Sequence, residues 1–122
     1  MGLFSSLNKG RRFDFDMPEA LPKENYFPLS KMPDGAVYTV RSMYLNRKSK
    51  FGDHYVVLAE DPSTGTIYGV NLPKFNNETV IGILNNDEMV AAINAGKCGI
   101  SKGETVHGEN GDYIPTVWVD LA

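Results

Sequence analysis

At 122 residues the chain is the size of one ordinary domain, and a catalytic unit with a separate regulatory one does not fit into it. A hydrophobic share of 42% is enough for a packed core and excludes a disordered chain, while the shortness of every apolar run excludes a membrane-spanning helix. The net charge of −3 conceals an asymmetry: residues 41–60 carry four basic groups against two acidic, and residues 61–122 carry three against eight.

Residues 1–34 read as an irregular arm. Met1-Gly2-Leu3-Phe4-Ser5-Ser6 matches the loose myristoylation pattern, but is read as a lead with apolar anchors, and no secretory signal follows it. Pro18, Pro22, Pro28 and Pro33 each remove a backbone donor, which works against regular structure. Phe13, Phe15, Tyr26, Phe27 and Leu29 are too apolar for a linker, so the arm is expected to lie across a core surface, its own or a neighbour's.

Residues 35–122 read as one domain. After the turn Pro33-Asp34-Gly35, Val37 to Leu45 is a predicted strand, rich in β-branched and aromatic residues. Asn46-Arg47-Lys48-Ser49-Lys50 is a basic loop. A second strand, Phe51 to Glu60, turns at Asp61-Pro62-Ser63-Thr64-Gly65 into a third, Thr66 to Leu72, forming a hairpin. Thr79 to Leu84 can form an early helical turn or two. The clear helix starts at Asn86 or Asp87, runs through Asn94 and stops at Gly96. Lys97 to Val106 is the fourth strand, His107 to Asp112 a turn-rich link, and Tyr113 to Leu121 the fifth strand. The fold expected is all-β with one helix: a five-stranded OB-fold-like Greek-key barrel with its helix between strands three and four.

Alternation assigns the faces. In the fifth strand Pro115, Val117, Val119 and Leu121 go to the core, and Thr116, Trp118 and Asp120 face out. In the second, His54, Val56 and Leu58 go in, and Phe51, Asp53, Tyr55, Val57 and Ala59 go out. In the third, Tyr68, Val70 and Leu72 go in, and Gly69 and Asn71 out, with Val56 opposite Val70 and Leu58 opposite Tyr68. In the first, Thr39, Arg41 and Met43 look outward. The outer surface then carries Phe51, Tyr55, Asn71 and Trp118 beside Arg41, Arg47, Lys48 and Lys50. Rings that stack on bases, rimmed by cations that hold phosphates, suit a single nucleic-acid strand, and Gly69 leaves room for a base near the backbone.

The order of several segments carries a resemblance. These are Lys50-Phe51-Gly52-Asp53-His54-Tyr55-Val56-Val57-Leu58, Gly69-Val70-Asn71-Leu72-Pro73, the helix end Ala92-Ile93-Asn94-Ala95-Gly96-Lys97, and Thr116-Val117-Trp118-Val119-Asp120-Leu121. Over residues 35–122 the chain resembles phage-encoded single-stranded DNA-binding proteins of the OB-fold type. The resemblance implies coating of single-stranded DNA during replication or recombination, self-association into a homo-oligomer, replication proteins as partners, and a host-cell cytoplasmic location. Many relatives end in an acidic tail that recruits those partners. This chain ends at Asp120-Leu121-Ala122, so the acidic segment Asp14-Phe15-Asp16-Met17-Pro18-Glu19 is the available substitute.

The chain shows no phosphate loop, dinucleotide fingerprint, zinc-protease motif or nucleophile elbow. Cys98 is its single cysteine, which rules out an intramolecular disulfide and suits a reducing, cytoplasmic setting. With two histidines besides, a closed zinc site is not expected, nor is any cofactor. His54 reads as a structural histidine, and the protein as no enzyme. The competing expectation is a small β-barrel that serves as a protein-interaction module in virion or complex assembly.

Overall fold

The computed structural model describes residues 13–15, 21–47, 50 and 52–121. Its centre is the antiparallel pair β2 (Tyr38–Asn46) and β3 (His54–Glu60). β3 continues through the Asp61–Thr66 turn into β4 (Ile67–Asn71), with Gly65 at φ 76° closing the turn. On its other side β2 pairs with β5 (Cys98–Lys102), which pairs with β8 (Thr116–Asp120). The far edge of β4 is taken by β1 (Tyr26–Pro28), running parallel. The result is a curled, mixed six-stranded sheet in the order β1-β4-β3-β2-β5-β8, a half-barrel, with β6 (Val106–Gly108) and β7 (Gly111–Tyr113) as a separate hairpin.

Three expectations about the elements and their closure change. The arm is not irregular throughout, because β1 and two short 3-10 turns are built from it, and Leu29 and Met32 are each only 1% exposed. Pro22 and Pro28 each precede a 3-10 turn, and Pro28 also ends β1. There are two helices rather than one. α1 (Asn77–Leu84) is separated from α2 (Asp87–Asn94) by Asn85 and Asn86, and the Asn86 side chain caps α2 by accepting the Met89 N–H at 3.1 Å. The five-strand closure is also absent, since among the described residues no pairing joins β4 to β8 and β1 occupies that edge of β4.

The end of α2 behaves as its sequence dictates. Gly96 sits at φ 72°, its N–H bonds Ile93 O at 3.0 Å, and the Lys97 N–H reaches Ala92 O at 2.9 Å, which satisfies two of the last carbonyls. Val80, Ile83, Val90 and Ile93 from the helices then pack on the inner face of the sheet with Tyr38, Val40, Met43, Tyr55, Val57, Ala59, Val70, Leu72 and Ile100. Phe13, Leu29 and Met32 join the same core, so these residues of the arm pack within their own chain.

The faces of β4 follow the alternation, but those of β3 are reversed. Val57 pairs with Val70, and Ala59 with Tyr68, one residue off the expected register. Tyr55, Val57 and Ala59 therefore point into the core, while Val56 and Leu58 lie on the other side with Gly69 and Asn71. The reason is that β3 is buried on both faces: Val56, Val57, Leu58 and Ala59 are all at most 1% exposed, so its apolar pattern carries no face information. In β2 a bulge at Arg41, between the pairs Val40–Ala59 and Ser42–Leu58, shifts the alternation and turns Met43 inward. In β8 Trp118 lies opposite buried Ile100 on the core side, and Val117 is the exposed residue, at 41%. No helix among the described residues is long and apolar enough to cross a membrane.

Candidate functional site

The residues expected to form one outer face are spread over several environments. Tyr55 is buried in the core and Trp118 turns toward α2. Arg41 leaves β2 at the bulge and donates from Nε and Nη2 to Glu60 Oε1 at 2.8 and 2.6 Å, so its charge is balanced within the protein. Arg47 and Lys50 are exposed on the loop between β2 and β3, while Lys48 and Phe51 lie outside the described residues. Asn71 does face outward. Its Oδ1 lies 2.9 Å from His54 Nε2, and its Nδ2 donates to Phe27 O at 3.4 Å.

The outer face of the central strands carries the arm. The Tyr26 ring rests on Gly69, in the space where a nucleobase was expected. A side chain at 69 would overlap that ring, so the glycine is required by close approach, and the partner is the chain's own tyrosine. Burial pushes the Tyr44 phenol up, and the neighbouring Tyr26 hydroxyl, which shares a hydrogen bond with it, pushes in the same direction. Tyr26 and Tyr44 thus tie β1 to β2 across β4 and β3.

A different constellation forms where the half-barrel stays open. Between the end of β1 and the end of the β6–β7 hairpin runs a cleft of about 480 Å³. One wall is Pro28, Leu29 and Ser30, the other Asp112, Tyr113 and Ile114, and the floor includes His54, Asn71 and Lys74. At its end Phe75 and Tyr113 meet edge-on, with centroids 5.1 Å apart and planes at 69°, yet they remain 52% and 42% exposed. Two rings held against each other in solvent offer faces to a planar ligand.

Local sequence explains this geometry. Pro73 ends the extended backbone after β4 and starts a 3-10 turn, Lys74–Asn76, that projects Lys74 and Phe75 outward. Gly111, at φ 117°, makes the tight β6–β7 turn that brings Tyr113 across, and His107 Nδ1 lies 2.8 Å from Asp112 Oδ1 over the same hairpin. The Lys74 side chain passes directly over Gly52, where any Cβ would collide with its Cε and Nζ. Gly52, at φ 99°, thereby sets the Lys74 ammonium against the loop that carries Arg47 and Lys50.

The cleft thus combines exposed rings, the Lys74 ammonium and amide and imidazole side chains, with Asp112 held by His107. Of the residues expected from sequence, Asn71 lines it, Arg47 and Lys50 stand on the adjoining loop, and Arg41, Tyr55 and Trp118 lie elsewhere. Lys74, Phe75 and Tyr113 were not anticipated. The available signal was an aromatic ring placed directly after Pro73-Lys74, in a polar stretch that needs no core residue. No family model, curated protein or solved structure matches the chain.

Proposed function

We propose that the protein binds single-stranded DNA with little sequence preference, in the cleft between β1 and the β6–β7 hairpin, and does so in phage DNA replication or recombination. The observation that carries this reading is the exposed Phe75–Tyr113 pair beside Lys74. Bases stack on such rings whatever their identity, while Lys74, Arg47 and Lys50 attract the phosphates. The strand order supports it. The described pairings β2–β3, β3–β4, β2–β5 and β5–β8 make a curled half-barrel, which is consistent with a small β-barrel of the kind this reading needs. On an OB-type reading the β2–β3 loop and the β6–β7 hairpin correspond to the loops that flank oligonucleotide sites in such barrels. The resemblance to phage single-stranded DNA-binding proteins points the same way.

Filter binding with labelled oligo-dT against duplex of equal length tests the proposal. Retention of oligo-dT with weak retention of duplex is expected. Equal retention would overturn it, and retention of neither would leave the protein-interaction role as the better reading.

A further inference from the structure

The tip of the β6–β7 hairpin carries a reactive pair. Asn110 is the only asparagine of the chain that is followed by glycine. It is exposed, in the two-residue turn between Gly108 and Gly111. An asparagine side chain can close on the backbone nitrogen of the next residue, because the attack builds a five-membered ring. A side chain on that next residue shields the nitrogen, and glycine has none. At Gly111, with φ 117°, even an added Cβ would meet no atom within 4 Å, so nothing crowds the approach. The nitrogen is also weakly held. β6 and β7 are three residues each, exposed throughout, and among the described residues form a two-stranded sheet of their own, which is marginal in water. Elsewhere the fold restrains the same side chain. Asn25, Asn71 and Asn77 donate to Ile67 O, Phe27 O and Asp53 O, Asn86 caps α2, and Asn76 is buried. No such bond engages Asn110 among the described residues. Its position gives the reaction a consequence: Asn110 lines one hollow with Phe75 and Tyr113, between Glu109 and Asp112.

We propose that Asn110 is a self-modification site, whose deamidation makes the hairpin tip more acidic as the protein ages. The Gly111 nitrogen attacks Asn110 Cγ. A C–N bond forms, the Cγ–Nδ2 bond breaks, and Nδ2 leaves as ammonia with the proton from Gly111. Solvent water then opens the cyclic imide at either carbonyl and leaves aspartate or isoaspartate at position 110. One water enters and one ammonia leaves, with no redox change. The product sets a further carboxylate beside Glu109 and Asp112, in the hollow that Phe75 and Tyr113 share. The expected effect on DNA rests on the cleft being the DNA site, whereas the reaction itself does not.

The full chain is aged at about 37 °C, at about pH 8.5 and about pH 6, since asparagine is thermolabile and loss of the Gly111 proton starts the attack. Trypsin cleavage after Lys102 then releases residues 103–122, in which Asn110 is the single amide side chain. That peptide is expected to gain about one dalton and to contain isoaspartate, faster at the higher pH and at least about tenfold faster than any other asparagine converts. Oligo-dT affinity of the aged chain should fall by about two- to fivefold at low salt, the effect of one added like charge near a strand. Fresh Asn110→Asp should show the same loss. Aged Asn110→Gln should match its own fresh affinity, because its ring closure is six-membered and slow. An unchanged 103–122 peptide, or conversion no faster than at other asparagines, would overturn the proposal. Conversion with undiminished oligo-dT affinity would overturn its effect on the cleft. Conversion in a chain that binds no oligo-dT at any age would support the modification site and overturn the DNA reading alone.

Discussion

The ring of Tyr26 lies against the backbone of Gly69, and the missing side chain at 69 is what lets the arm strand β1 sit on the edge of β4. The contact holds the wall of the cleft in place, because Pro28, two residues on from Tyr26, lines it. Gly69→Ala is expected to destabilise the fold by about 1–3 kcal/mol through overpacking. Tyr26→Ala should cancel most of that added cost in the double variant. Urea denaturation of the four proteins checks it, and strictly additive losses would mean that the ring and the glycine are independent.

Phe13, Leu29 and Met32 of the arm are buried in the core, so they should behave as core residues. Leu29→Ala removes a side chain that is 1% exposed and should cost about 2–5 kcal/mol, as in any packed interior. An exposed tail residue would cost almost nothing. Equilibrium unfolding separates the two outcomes.

The two arginine and lysine environments predict different salt behaviour. Arg41 is committed to Glu60, whereas Lys74 stands on the cleft floor. Lys74→Gln should flatten the slope of log affinity against log salt by about 0.7, the share of one phosphate on a single strand. Arg41→Gln should leave the slope unchanged while lowering stability. Oligo-dT titrations across a salt series measure both.

Cys98 lines a hollow between the helices and β8, and burial, with Asp120 adding to it, pushes its thiol up to about 11. The folded state thus favours the neutral thiol. At pH 8.5 an unfolded cysteine is about half thiolate, so native alkylation should run about a hundredfold slower than in urea. The difference should shrink as pH rises toward 11. Iodoacetamide labelling followed by mass spectrometry reads this, and equal native and denatured rates would contradict the burial.

Local chemistry was legible, and long-range burial was not. Asn86 and Gly96 announce the two ends of α2, and Pro62 and Gly65 announce the β3–β4 turn, because capping and positive φ depend only on the residues concerned. The faces of β3 were hidden by burial on both sides. Trp118 was misread because Val117, Val119 and Leu121 form an apolar stripe of their own on the outer side, where Gly99 packs against Val37 and Leu121. The Phe75–Tyr113 pair joins residues 38 positions apart through a cleft that only the half-barrel creates, and no periodicity encodes it.

The central claim is that Phe75 and Tyr113 form the stacking platform for single-stranded DNA. Its most direct test is the oligo-dT affinity of Phe75→Ala, Tyr113→Ala and the double variant, each checked for an unchanged melting curve. Each single change should weaken binding by about 1–3 kcal/mol, as loss of one stacked base does. Trp118 emission should stay constant when oligo-dT is added, since that ring faces the helices. Wild-type affinity in the double variant, or quenching of Trp118 by oligo-dT, would contradict the account and move the binding face to the β8 side of the molecule.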